Sequence, residues 1–527
     1  MLDQIQRLMP PTATSSFTSA GALAQSSQRA VQVLDTLVAL APDQSNLPRI
    51  EAILQPWLAT ATDVDTLSHF IQNAGTHFGQ LSDAFWQRAW QQVQPHASSE
   101  PRLVCQALEQ LVHVLKQDTQ ILEAMQMLLG ILSHAVDEDT EEWSAVEWLE
   151  EDAYEVDHDE EGLTAYAIDV LNLWLVTHEK QLPAVVDMIQ STDGSNWRAL
   201  WTTLTAWQCC LTALPVALEA QAPAFFHGLC SLIVSGTNQH VRVRHQAWQT
   251  FAGFVEIYPH VVSDKDGLAQ AIRQGLLDGH PRVTAVVCRV ITSLALTKDD
   301  REEEEEPVWN HGQLDFILQG LASGPLSPQA PCRLVVLRAL KAVASLAASA
   351  PLGSFLDPIM RLLRDWAERE ASVTGEALEA AALVAQSLAE DEGVIDRVRA
   401  ESSQLMERLG QLLQQGGANV EKELLLSACA RLATVLEDDF QPYLPMVLGL
   451  LLEKVNAKDD IEFSVRGMMR CMCCFANLCI SCQVFLVHSH AYSCVCCNRK
   501  ETRLVSTKLA GVSWRTTPLR CTFLERA

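Results

Sequence analysis

Between Lys116 and Lys180 the chain has no lysine and no arginine. Basic residues are scarce throughout, and the 527 residues carry a net charge of −27. A surface of that sign repels nucleic acid and anionic membranes and attracts basic protein segments. Aromatic residues make up only 6% of the chain. No uncharged apolar run reaches the ~18 residues of a membrane-spanning helix, so none is expected. MLDQIQRLMPP at the start lacks the basic segment and apolar run of a secretory signal. No GxxxxGK[ST], GxGxxG or GxSxG element stands in a strand–turn–helix context, and no HExxH occurs. The sequence therefore presents no catalytic constellation, and an enzyme is not expected. Cysteines number 16, but nine crowd between Cys471 and Cys521. Cys105, Cys209, Cys210, Cys230, Cys288, Cys332 and Cys429 lie in helical patterns and read as buried thiols, not as a disulfide framework.

What is present is helix-forming and repetitive. The chain is 48% hydrophobic, enough for a large core, and rich in Ala, Leu and Gln. Three stretches resemble one another: NWRALWTTLTAWQCCLTALP from Asn196, HVRVRHQAWQTFAGFVEIYP from His240 and HPRVTAVVCRVITSLAL from His280. Each opens with a turn and continues with small and apolar residues at steps of three and four. Their starts lie 44 and 40 residues apart. Similar units begin at Cys332, Thr374 and Glu421, with second helices between them, several ending at Gly. Such a unit of two antiparallel helices has the HEAT/armadillo period. One pair cannot bury its apolar face alone, so an all-α HEAT-repeat (armadillo-like) solenoid is expected, with a long concave surface. Residues 1–136 read as similar helices, with 66–93 and 102–117 each read as one continuous helix.

Within this array, residues 137–161 hold 14 acidic residues in 25. They are Asp137, Glu138, Asp139, Glu141, Glu142, Glu147, Glu150, Glu151, Asp152, Glu155, Asp157, Asp159, Glu160 and Glu161, with Trp143 and Trp148 among them. Taken alone, such a run is a solvated linker. Set between helix pairs, it is a site for Lys/Arg-rich ligands, with the tryptophans as apolar anchors. A second run, DDREEEEEP at 299–307, reads as a solvated inter-helix loop that Pro307 stops. Trp174, Trp197, Trp201, Trp207 and Trp248 read mostly as core or helix-packing residues.

The order of these elements resembles the importin-beta (karyopherin-beta) nuclear transport receptors, and most the importin-5 branch. The resemblance is carried by WSAVEWLEEDAYEVDHDEEGLTAYAIDVLNLW, then Asn196-Trp197-Arg198, then Val241-Arg242-Val243-Arg244. The stretches from Leu334 and Leu436 extend it, and it covers roughly 100–463. It implies a nuclear import receptor, or a fragment of one, present in cytoplasm and nucleus. The implied partners are basic cargo (localisation signals, ribosomal or histone-like proteins), nucleoporins and the GTPase Ran. Neither nucleic acid nor membrane is an expected partner, and no cofactor is implied. The acidic stretch then becomes the cargo-binding loop, placed between the two helices of one repeat. Against the family pattern the array begins after the Ran-binding repeats and stops early, which points to a partial chain with weak Ran binding. The different-class alternative is a generic HEAT scaffold or adaptor outside nuclear transport.

The expected organisation is helical repeats over 1–136, the acidic loop at 137–161, HEAT repeats over 162–463, and a non-repeat tail at 464–527. The tail carries a formal +7, against −34 for residues 1–463. Its Cys479-x-x-Cys482 and Cys494-x-x-Cys497 have the form of zinc-binding pairs. The short gap and the extra cysteines blur that pattern, so no metal is assigned, and non-coding sequence read as protein is the expectation.

Overall fold

The computed structural model describes residues 47–449, apart from 61–66, 69–70, 73, 75–80, 136–161, 192–195, 236–239, 263–264, 297–308, 328–332, 351, 370–371 and 415–421. All the regular structure among the described residues is helical. The packing divides the chain into two compact units, residues 1–393 and 394–527.

In the first unit, α1 (Leu47–Thr60) and α2 (Asp83–Val93) precede α3 (Pro101–Leu111) and α4 (Asp118–Ala135). After the acidic stretch come α5 (Leu163–Thr177), α6 (Leu182–Gln190), α7 (Trp197–Ala213) and α8 (Ala222–Ser235). Then follow α9 (Val241–Ile257), α10 (Lys265–Leu276), α11 (Pro281–Leu296) and α12 (His311–Ser323). The unit closes with α13 (Arg333–Ser349), α14 (Leu356–Arg369) and α15 (Thr374–Ser387). In the second unit, α16 (Ile395–Gln414) packs on α17 (Lys422–Leu436).

Local chemistry sets the starts. Ser82, Asn196 and His240 each accept a backbone N–H of the first turn they cap. Asn310 and Gln313 form a reciprocal capping box at α12. Pro101 and Pro281 open α3 and α11, where a missing N–H costs nothing. Ser82, extended at ψ 150°, also splits the helix expected over 66–93. The helix expected over 102–117 ends at Leu111, and Asp118 starts a new one in its first turn.

Two rows result. In the first row α3, α5, α7, α9, α11, α13 and α15 pack each on the next. In the second, α4 packs on α6, and α8, α10 and α12 pack in succession. The first-row helices are enclosed: α9 buries Val243, Gln246, Ala247, Trp248, Phe251, Ala252, Phe254 and Val255. Second-row helices bury one stripe, as Leu356, Ile359, Met360, Leu363, Trp366 and Ala367 do in α14. Close approach between rows depends on small residues. A Cβ at Gly275 would come within 2.7 Å of Val287 and 2.9 Å of Trp248. One at Gly324 would collide with the Leu276 carbonyl oxygen. Gly279, expected as a helix stop, follows the end of α10 with no positive φ and open space where a Cβ would stand.

One segment, Pro215–Val234, is long and apolar enough by composition to cross a membrane. A 3₁₀ turn at Glu219–Gln221 interrupts it, and α8 buries Ala222, Phe226 and Leu229 while packing on α9 and α10.

The repeat period is written in the bonds that fasten each repeat to the one before. Thr250 Oγ1 donates to Leu204 O, 46 residues back, at 3.2 Å. Tyr258 OH donates to Pro215 O across 43 residues. Trp366 Nε1 donates to Leu326 O across 40 residues at 2.9 Å. Arg289 reaches Gln249 across 40 residues at 3.3 Å.

Candidate functional site

Asp137–Glu161, including Trp143 and Trp148, lies outside the described residues, as does the 464–527 tail with its cysteine pairs. The structure describes what holds the ends of the acidic stretch. Its flanks are Ala135, the last residue of α4, and Gly162, which precedes α5. Trp174 Nε1 donates to Leu108 O at 3.1 Å, and His178 Nε2 lies 2.9 Å from Val112 O, each across 66 residues. Removing the 25 residues of 137–161 from that separation leaves 41, back within the period. The stretch is thus an insertion in an otherwise regular array, and the joint between α3 and α5 closes behind it. The insertion joins α4 to α5, two helices that pack on each other, and the run at 299–307 lies between α11 and α12.

The elements that carried the family resemblance are joints. Trp197 stacks on His240 at 3.9 Å between ring centroids and 14° between planes, with the Arg198 guanidinium 4.8 Å from the indole. Arg244 grips Asp278 with two bonds, Nε to Oδ2 at 2.7 Å and Nη2 to Oδ1 at 2.9 Å. Asp278 Oδ1 also accepts the His280 N–H at 2.9 Å, so one carboxylate ties α9 to the start of α11. Burial first, then the Arg282, His280 and Arg242 charges, pulls the His245 pKa down to about 3. His240 is lowered too, by burial and then by Arg242, Arg244 and Arg198. This acidic chain therefore gathers a basic cluster at the starts of α7, α9 and α11.

The tryptophans read as core are core. Trp174 is fully buried, and Trp201, Trp207 and Trp248 nearly so, while Trp197 is half-buried in its stack. Cys105, Cys209, Cys210, Cys288 and Cys429 are buried free thiols. Burial pushes Cys105 and Cys210 up to about 12. Among the described residues no group of three or more His, Cys, Asp or Glu could hold a metal ion.

Two surface features were not legible in the sequence. Along the second row, the side chains of α8 and α10 described as exposed (Pro223, Ala224, His227, Gly228, Ser231, Val234, Gln270, Gln274) include no carboxylate, lysine or arginine. The other feature is a cleft of about 500 Å³ lined by Ser68, Gln72, Arg102, Leu103, Gln106, Glu109 and Tyr166. In it Tyr166 OH donates to Glu109 Oε2 at 2.5 Å, and Ser68 Oγ donates to Gln106 Oε1 at 3.4 Å. Burial, then the bond to Glu109, raises the Tyr166 pKa and keeps the phenol protonated.

No family model and no curated protein matches the chain. Solved structures do. Kap121p bound to RanGTP superposes with a TM-score of 0.65 over 84% of this chain, at 17% identity. Kap121p bound to Pho4p gives 0.63 over 87% at 17% identity. The karyopherin Kap121p bound to the SUMO protease Ulp1p gives 0.62 over 87% at 17% identity. In each case this chain spans 44% of the Kap121p chain. Helix rows, repeat period and superposition agree: the chain has the all-α HEAT-repeat solenoid fold of the karyopherin Kap121p.

Proposed function

We propose that this chain acts as a nuclear transport receptor of the importin-beta type, of the importin-5 branch, or as a segment of one. The observation that supports this most is a karyopherin-like array carrying a 25-residue acidic insertion while the joint behind it keeps its period. The insertion's 14 carboxylates create a field that gathers Lys/Arg-rich segments and weakens with salt. Solved complexes show Kap121p with RanGTP, Pho4p, Ste12p, Nup53p and Ulp1p. By analogy the partners of this chain are basic cargo, nucleoporins and Ran, and the chain moves between cytoplasm and nucleus. Binding and release are the whole activity on this reading, with no catalytic step.

The test is a pull-down with a lysine-rich localisation peptide at low and high salt, by the intact chain and by a chain lacking 137–161. The proposal expects salt-sensitive capture that the deletion removes. Capture that survives the deletion unchanged sinks it.

A further inference from the structure

We propose that the cleft lined by Ser68, Gln72, α3 and Tyr166 of α5 binds an extended peptide by its backbone and by one lysine or arginine side chain, with Glu109 taking the cation. This rests on the transport reading and gives it a socket distinct from the acidic stretch.

The lining has the chemistry for such a guest. Gln106, whose Oε1 accepts from Ser68 Oγ, keeps its amide N–H groups for peptide carbonyls. Ser68 adds a hydroxyl and Arg102 adds guanidinium donors for peptide carbonyls. Tyr166 bonds to one oxygen of Glu109 and fixes that carboxylate at the wall. A carboxylate accepts more bonds than that one, and neither Glu109 nor Arg102 has an ion-pair partner among the described residues. A lysine or arginine head group satisfies Glu109 with charge-assisted bonds. The cleft volume, about 500 Å³, falls within the ~300–1,000 Å³ of ligand clefts.

Its walls are held in place. Trp174 of α5 bonds to Leu108 of α3 and His178, the cap after α5, to Val112, the cap after α3, so the two helices that carry Glu109 and Tyr166 keep their spacing. Location supports the same guest. Tyr166 lies five residues after Glu161, so the cleft sits at the root of the acidic insertion. Basic segments concentrated by that field meet the cleft first. Phosphate-rich ligands are disfavoured by Glu109 and by the net charge of −27.

The experiment is fluorescence anisotropy of a labelled lysine-rich peptide on the full chain, with variants Glu109→Gln, Gln106→Ala and Glu100→Gln. Glu100 is exposed and outside the cleft lining, so its variant removes an equal charge nearby without touching the socket. Glu109→Gln is expected to weaken binding at least about fivefold, Gln106→Ala about threefold and Glu100→Gln less than about twofold. Thermal melting checks that each variant is folded. A photo-reactive residue in the peptide should cross-link to Ser68, Gln72 or 102–109. Equal effects of Glu109→Gln and Glu100→Gln, or cross-links confined to other residues, overturn the cleft while leaving the transport reading standing. No binding of any basic peptide by the intact chain overturns both.

Discussion

Cutting the joint at Asp278 should cost the first unit far more than cutting a surface ion pair of similar length. Arg244 and Asp278 are only 21% and 12% exposed, and two short bonds join them. Asp278 also holds the His280 N–H at the entrance to α11. Replacing Asp278 with alanine strands a mostly buried guanidinium and an uncapped N–H. Removing one partner of a buried pair costs about 3–5 kcal/mol, and the residual exposure of Arg244 lowers the expectation to about 2–4 kcal/mol. A double-mutant cycle with Arg244→Met and Asp278→Ala isolates the pair, with an expected coupling of about 1.5–3 kcal/mol. Lys116 and Asp83 supply the internal comparison. They approach to 3.0 Å but are 70% and 62% exposed, and their coupling is expected at no more than about 0.5 kcal/mol. Urea unfolding followed by tryptophan fluorescence gives both cycles. Raising the salt should erase the exposed pair and leave the buried one nearly intact. Equal couplings for the two pairs, or a buried coupling that disappears in salt, refute the reasoning.

Three further outcomes follow from the same geometry. Trp366→Phe leaves the buried Leu326 carbonyl without its donor and should cost about 1–3 kcal/mol, whereas Trp309→Phe removes an indole N–H with no acceptor among the described residues and should cost less than about 1 kcal/mol; urea midpoints compare them, and a reversed order refutes the assignment. His245 has a folded pKa of about 3, below its unfolded value, so its contribution is present above pH ~6.5 and is lost as pH falls toward 3, by up to about 1.4 kcal/mol per unit. His245→Gln should therefore flatten the stability profile between pH 7 and pH 5, and an unchanged slope counts against a neutral buried imidazole. Cys105 and Cys210, pushed up to about 12, should react with a thiol reagent at pH 8 at least about 100-fold more slowly than after unfolding in urea; peptide mapping by mass spectrometry reads this, and fast labelling of either residue in the native chain contradicts its burial.

Helix type, repeat period and unit starts at Asn196, His240 and His280 were legible because capping and apolar spacing are local signals. The break before α2 was not, because Ser82 caps that helix while its side chain also bonds to Glu51, 31 residues away. The need for glycine at 324 was not legible, because it comes from the Leu276 carbonyl at the end of α10, which no local pattern contains. The resemblance motifs drew attention to Trp197, Arg198, Arg242 and Arg244 as landmarks. Only packing shows Trp197 stacked on His240 and Arg244 gripping Asp278. The insertion was legible as charge, yet the joint that closes behind it emerged only from cross-repeat bonds. The cleft was hidden for a similar reason: Glu109 and Tyr166 stand 57 residues apart, with the insertion between them.

The account rests on the acidic insertion binding basic segments while the array closes without it. The most direct measurement is the affinity of a lysine-rich localisation peptide for the intact chain and for a chain with 137–161 replaced by a short Gly/Ser linker, at about 0.05 M and about 0.5 M salt. Salt-dependent binding by the intact chain, loss of about tenfold or more on deletion, and a melting temperature changed by less than about 2 °C are the predicted result. Equal affinities for the two chains, or a deletion that unfolds the protein, would contradict it.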